Sequence, residues 1–284
     1  MDRDRRRRRI QNGPRLTLVK PPSDSAAEVD AAPVSNSAAE APAPSPDVAV
    51  PAPRYWQIDT IRGFGVVAMV LFHFSYDVNA RVPGGLGLPP VYWAHVPDLI
   101  GFIFLTLVGI SSRLAFEKEK SFAAHARRGS KILALGLVIS ASTLWLTPES
   151  PIYFGVLHCI GICILLLFPF LHKSRLAFQL GLPLALAGFY LQQQNFSNGW
   201  FFWLGFQGPN GRGADWYPLL PWFGVALLGV ALGEKLVSRK EALAKRSAMK
   251  PSFALQALAF LGRHALVIYL AHQPILIGLV SLLF

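Results

Sequence analysis

The chain has 284 residues, 52% of them hydrophobic and 15% charged, with a formal net charge of +11. An ordinary soluble domain carries about 25% charged residues, and here the apolar residues come in long blocks, so a soluble catalytic domain is excluded. The basic excess is split between an N-terminal arginine run and short loops rather than gathered on one face, which makes it a topology signal and not a nucleic-acid surface.

Residues 1–53 open with five consecutive arginines, Arg5 to Arg9, and continue rich in Ala, Pro, Ser and Asp. Such a stretch buries too little apolar surface to offset chain entropy, so it is expected to be a disordered tail touching anionic headgroups. No apolar segment follows the arginines closely enough to make a signal peptide. From 54 to 284 the pattern predicts an all-α, polytopic transmembrane bundle of about seven spans, near 59–80, 96–116, 130–147, 152–171, 176–192, 216–237 and 264–283. The third and fifth blocks are the shortest. The apolar stretch 252–262 is too short to span alone and reads as an interfacial lead-in to the last helix. Cys159 and Cys163, the only cysteines, sit in one apolar block and read as small buried hydrophobes, which excludes a cysteine-framed zinc site.

Basic residues alternate between loops. Lys118, Lys120, Arg127, Arg128 and Lys131 follow the second block, Lys173 and Arg175 the fourth, and Lys235, Arg239, Lys240, Lys245, Arg246 and Lys250 the sixth. The intervening loops hold only Arg81 and Arg212. The positive-inside rule then predicts a cytoplasmic N-terminus and an outer C-terminus, as in a bacterial inner membrane. Trp93, Trp145, Trp200, Trp203, Trp216 and Trp222 fall near the outer ends, where an interfacial belt would lie.

Ionisable residues inside spans carry the functional signal, because each costs several kcal/mol unless paired or hydrated. His73 follows Arg62 by eleven residues, three helical turns; Asp59 and Asp77 extend the same stripe. His158 in the fourth block lies at a depth similar to His73. Asp98 and Asp215 open the second and sixth helices from the outer side, the latter in Asp215-Trp216-Tyr217-Pro218-Leu219-Leu220-Pro221-Trp222. His272-Gln273-Pro274 is expected to break the last helix in mid-span. Arg62, Arg113, Arg263 and His264 gather at cytoplasmic ends. Plain structural roles compete with each: an Asp59–Arg62 pair, a satisfied interior histidine, an interfacial cap at Asp215, a packing kink at Pro274, snorkelling arginines. Two chemistries suit the set. An imidazole near its operating pH can act as a general base with arginines on phosphates, whereas Asp and His in a broken bundle can serve a proton-coupled transporter. A catalytically silent scaffold is the third option.

Several segments carry a family resemblance: Ile58-Asp59-Thr60-Ile61-Arg62-Gly63 with His73 beyond, Phe104 to Ser111, Phe154 to Gly161, Tyr217 to Trp222, Gly262-Arg263-His264, and Ile268 to Pro274. In this order, over residues 55–284, they resemble the heparan-alpha-glucosaminide N-acetyltransferase-like membrane family, including its bacterial members. The arginine-to-histidine spacing is also similar to that of the integral-membrane sugar O-acyltransferases, where a histidine at the place of His73 is held essential. The resemblance implies transfer of an acyl group, usually acetyl, from cytoplasmic acyl-CoA to an acceptor on the far side. It implies acyl-CoA (acetyl-CoA), membrane lipids and a carbohydrate or glycan acceptor as partners, without metal; a homo-oligomer stays open. His73, Asp77 and His158 are the catalytic candidates. Asp59, Arg62, Arg113 and Arg263 would meet the donor, and Asp98, Asp215 and His272 the acceptor. In the eukaryotic enzyme the place of His73 carries an asparagine, and its proposed active histidine lies in the loop before the second helix. His95 occupies that loop here, at a spacing from Val108-Gly109 that does not match. The chain also has fewer spans than the eukaryotic enzyme.

Overall fold

The computed structural model describes residues 55–194, 196, 199–207 and 215–284. The expected disordered tail and Arg212 lie outside the described residues. Within them the chain is all-α. Helix α1 runs over Trp56–Arg81, α2 over Pro90–Lys118, α3 over Phe122–Leu146, α4 over Val156–Leu167 with a 3-10 turn Phe168–Phe170, and α5 over Ser174–Leu191. There follow α6, Leu219–Ser238, the short α7, Lys240–Ser247, α8, Phe253–Arg263, and α9, Ala265–Leu283. Five of these, α1, α2, α3, α6 and α9, are long and apolar enough to cross a membrane. With α4 and α5 between them they form the polytopic bundle that the hydropathy predicts.

The boundaries follow local chemistry, and several differ from expectation. Gly84, Gly85 and Gly87 take positive φ after α1, turning the chain where a residue with a Cβ would be strained. Pro90 opens α2 at a position whose N–H has no helical partner. The Ser121 hydroxyl accepts from the Ala124 amide at 3.4 Å, so α3 starts eight residues before the apolar block does and is among the longer helices. The fourth block is helical only from Val156, because 152–155 runs as an extended lead-in, and Pro169 closes its far side in a tight turn. In α9, Pro274 is accommodated without interruption; the break comes earlier, at His264 (φ −100°, ψ 14°). The expected mid-span break at His272-Gln273-Pro274 is therefore replaced by a break ten residues upstream.

The core lies among α2, α4, α5 and α6, around Leu105, Cys159, Cys163, Leu167, Trp222 and Val225. The helices α2 and α6 are in near backbone contact, since a Cβ on Gly109 would meet the Ala226 carbonyl and one on Gly229 the Thr106 carbonyl. Trp222, expected in the interfacial belt, is buried in this core, packed edge-on against Phe102 and Phe189; Trp145, Trp200 and Trp203 are exposed. The two cysteines behave as the small buried hydrophobes expected, with sulfurs 3.8 Å apart.

A second unit of packing positions the site. The stretch 252–262 forms α8, which packs closely on α1. A Cβ on Gly63 would strike the Leu258 carbonyl, and one on Gly262 the Asp59 carbonyl. The Thr60 hydroxyl meets the Leu255 carbonyl at 3.3 Å one turn earlier. The two helices thus run in the same direction in fixed register. Gly262 stands 199 positions after Gly63, and His272 stands 199 after His73. Registration by two glycines at the end where α1 begins (the near end) therefore sets two histidines side by side in the far half. The packing of α3 is almost wholly along α4, and α1 and α3 do not pack against each other.

Candidate active site

In the far half the rings of His73 and His272 meet edge to face, with centroids 4.7 Å apart and planes at 83°. Each ring is held by its own helix. His73 Nδ1 lies 2.9 Å from the Met69 carbonyl oxygen, and His272 Nδ1 lies 2.6 Å from the Tyr269 carbonyl oxygen. A carbonyl only accepts, so each Nδ1 carries the hydrogen and each Nε2 keeps its lone pair. His272 is 7% exposed, and its Nε2 has no hydrogen-bond partner among the described residues; the neighbouring Gln273 Oε1 is equally unmatched. Two buried acceptors side by side without a donor are costly in an empty protein and are what a donor-bearing ligand would relieve.

Asp77 belongs to this group by a route other than the expected one. Its buried carboxylate accepts from Gln273 Nε2 at 3.0 and 3.3 Å, and Met69 rather than Asp77 orients the His73 ring. Asp215 is tied in from a third direction. Its Oδ2 accepts the Val156 amide at 3.1 Å, capping the start of α4, and the Tyr269 hydroxyl at 3.2 Å. Tyr269 thereby links Asp215 to His272, the one through its hydroxyl and the other through its carbonyl. Burial pushes the Asp215 carboxyl up from its ordinary range, and the two donors offset part of that rise.

His158 stands apart. Its Nδ1 accepts the Gly155 amide at 3.2 Å, its Nε2 lies 3.4 Å from the Ser140 hydroxyl, and its ring stacks on Phe154. The Ser140 hydroxyl in turn donates to the Ile152 carbonyl. Both ring nitrogens are thus engaged in joining α3 to the lead-in of α4. The histidine that similar depth suggested as partner of His73 is replaced there by His272. Asp98 lies on α2 within electrostatic range of Tyr217, whose hydroxyl donates to the Pro97 carbonyl at 2.8 Å. His95 is exposed on the first turns of α2.

At the near end Arg62 donates to Asp59 at 2.6 Å and to the Ser111 hydroxyl at 3.1 Å. Arg113 is buried and doubly engaged, with Glu117 at 2.6 Å on its own helix and Glu234 at 2.7 Å on α6. It braces α2 against α6 and has its charge already matched. Arg263 is exposed, 6.0 Å over the Phe260 ring. Arg128, expected among the loop cations after the second block, lies instead within α3 and is exposed. The sequence reading missed Gln273, Tyr269 and Ser111. The first two lie inside the quoted Ile268 to Pro274 segment, while nothing in the sequence places Ser111 beside Arg62. Among the described residues no three His, Cys, Asp or Glu side chains converge to hold a metal ion.

The family model described as heparan-alpha-glucosaminide N-acetyltransferase, catalytic, matches residues 54–274, which takes in every residue of both clusters. No curated protein and no solved structure matches the chain.

Proposed function

We propose, since the chain belongs to the heparan-alpha-glucosaminide N-acetyltransferase catalytic family, that it moves an acetyl group from acetyl-CoA, reached from the cytoplasm at the near end, to an amine or hydroxyl of an amino sugar or glycan at the outer end. The observation that carries the reading is the His73–His272 pair with its unmatched acceptors. His73 Nε2, His272 Nε2 and Gln273 Oε1 can only accept, and Asp77 adds a carboxylate beside them. An occupant rich in N–H or O–H donors complements that set, and an anion does not.

In the reaction the acceptor nitrogen or oxygen attacks the thioester carbonyl. The new C–N or C–O bond forms, the C–S bond breaks, and the acceptor's proton passes to His73 Nε2 while the CoA thiolate takes one from solvent. The Met69 carbonyl fixes the tautomer that leaves Nε2 basic. His272 presents a second lone pair next to the first, suited to accept from the attacking group and to hold it in line.

The test uses the full chain in neutral-lipid nanodiscs with radiolabelled acetyl-CoA and glucosamine, reading thiol release and labelled product. His73→Ala should lower kcat by about 100-fold or more with little change in acetyl-CoA KM. Arg62→Ala should raise that KM. A wild-type chain that neither binds acetyl-CoA nor releases thiol would end the acyltransferase reading and favour the transporter.

A further inference from the structure

Acetyl transfer at the histidine pair does not account for every polar atom gathered around it. On α1, Asp77 follows His73 by one turn; on α9, Gln273 follows His272 directly. The two helices are thus joined twice, by the ring contact of His73 with His272 and by the Gln273 amide on Asp77. The second contact has a fixed sense. A carboxylate only accepts, so the amide turns its NH2 to Asp77, and Nε2 donates to the two carboxylate oxygens at 3.0 and 3.3 Å. The carbonyl end of the amide is thereby turned away from Asp77. Gln273 as a whole is half-buried, yet its Oε1 is shut off from solvent and has no donor among the described residues. His272 Nε2, on the preceding residue, is in the same state, on a side chain that is almost wholly buried. A glutamine that served only to join α1 to α9 would gain nothing from a buried carbonyl without a donor, which is a cost to the fold.

We infer that Gln273 Oε1 is a second docking point for the acceptor substrate, and that Asp77 is the positioning residue that aims it. The inference rests on the acetyl-transfer reading above for the identity of the reacting group. The His73–His272 pair takes the N–H or O–H that is to be acetylated, and Gln273 Oε1 takes a hydroxyl of the same molecule. His272 and Gln273 are consecutive, and His73 and Asp77 stand about 6 Å apart along α1, so the four groups lie within reach of one small polyol. The substrate class selected is a molecule with a hydroxyl beside its reacting amine or hydroxyl, as in a pyranose ring. An amine without that hydroxyl would leave Oε1 unmatched and bind less well. Asp77 does not touch the reacting atoms. It acts by denying the Gln273 amide its other orientation, in which the NH2 would point at the substrate's own donors.

The experiment uses the full-length chain in neutral phosphatidylcholine nanodiscs with radiolabelled acetyl-CoA and two acceptors, glucosamine and cyclohexylamine. The second has a six-membered ring and an amine but no hydroxyl. The readout is the ratio of kcat/KM for glucosamine to that for cyclohexylamine. Gln273→Met keeps the length of the side chain and removes the carbonyl, so it should lower the ratio by about tenfold or more, mainly through KM for glucosamine. Asp77→Asn keeps its size and frees the Gln273 amide to turn over, so it should lower the ratio in the same direction. Added to Gln273→Met it should lower the ratio no further, because it acts through the amide that is already gone. A merely structural contact would slow both acceptors alike, and an unchanged ratio in either single variant would overturn the inference. Should Gln273→Met fail to fold, as its melting in detergent would show, Asp77→Asn decides alone. Titration calorimetry with glucosamine separates this inference from the acetyl-transfer reading. Glucosamine bound by wild type and more weakly by Gln273→Met, without acetyl transfer, would keep the docking point and end that reading. Transfer with an unchanged ratio would do the reverse, and a wild type that neither binds glucosamine nor transfers acetyl would end both.

Discussion

At the scale of single residues, the three histidines His73, His158 and His272 differ in what their surroundings leave them free to do. His158 has a partner on each nitrogen, whereas His73 and His272 each keep one nitrogen uncommitted. His158→Ala should accordingly cost about 1–3 kcal/mol of stability by orphaning the buried Gly155 amide, seen as a lower melting temperature in detergent. Its kcat per folded molecule should stay within a few-fold of wild type; a collapse of kcat with unchanged melting would make His158 catalytic instead. Asp215 allows a pH test. Its folded value lies above the ordinary 3.8, so the folded chain holds that proton more tightly than the unfolded chain does. The contribution to stability is present below 3.8 and is lost as pH rises through the raised value. Asp215→Asn removes the titration, so the melting temperature of wild type relative to the variant should fall as pH increases across that window. A difference independent of pH would contradict the assignment.

At the scale of elements, the close approach of α1 and α8 governs both ends of the site. Gly262 leaves no room for a side chain against the Asp59 carbonyl, whereas Gly278 on α9 has open space around it. Gly262→Val should destabilise the bundle by about 1–3 kcal/mol through overpacking, and Gly278→Val should be close to neutral, both measured by thermal unfolding. Because Gly262 bears on the turn that carries Asp59 and Arg62, and because the same register pairs His73 with His272, the α8 variant should also impair both acetyl-CoA affinity and turnover. An intact donor KM in a folded Gly262→Val chain would show that the register is not needed. The α2–α6 contact at Gly109 and Gly229 lies along the core, on the same helix seam that carries Ser111 and Arg113.

At the scale of the whole molecule, the parallel course of α1 and α9 predicts an odd number of crossings between them, with the start of α1 and the end of α9 on opposite sides of a membrane. Reporter fusions active on one side only should read the start of α1 as cytoplasmic and the end of α9 as outer. The same reporter result at both ends would exclude that topology. The arrangement also separates the two clusters by the length of α1 from Arg62 to His73, about 16 Å at the helical rise. That separation suits a long donor with its phosphates at one end and its reactive thioester at the other.

Much of this was legible in the sequence. Long apolar blocks in water-poor composition leave no alternative to membrane helices, because an unpaired backbone is not tolerated in lipid. The 3.6-residue period alone puts Asp59, Arg62, His73 and Asp77 on one stripe of α1, and the quoted segments identified the family. Depth along a span can be read the same way, but neighbours cannot. Which helix faces which depends on where glycines allow backbones to meet, and that is a property of two distant segments at once. Only the tertiary structure decided that His272 and not His158 stands beside His73, that Gln273 holds Asp77, and that Arg113 is matched by Glu117 and Glu234.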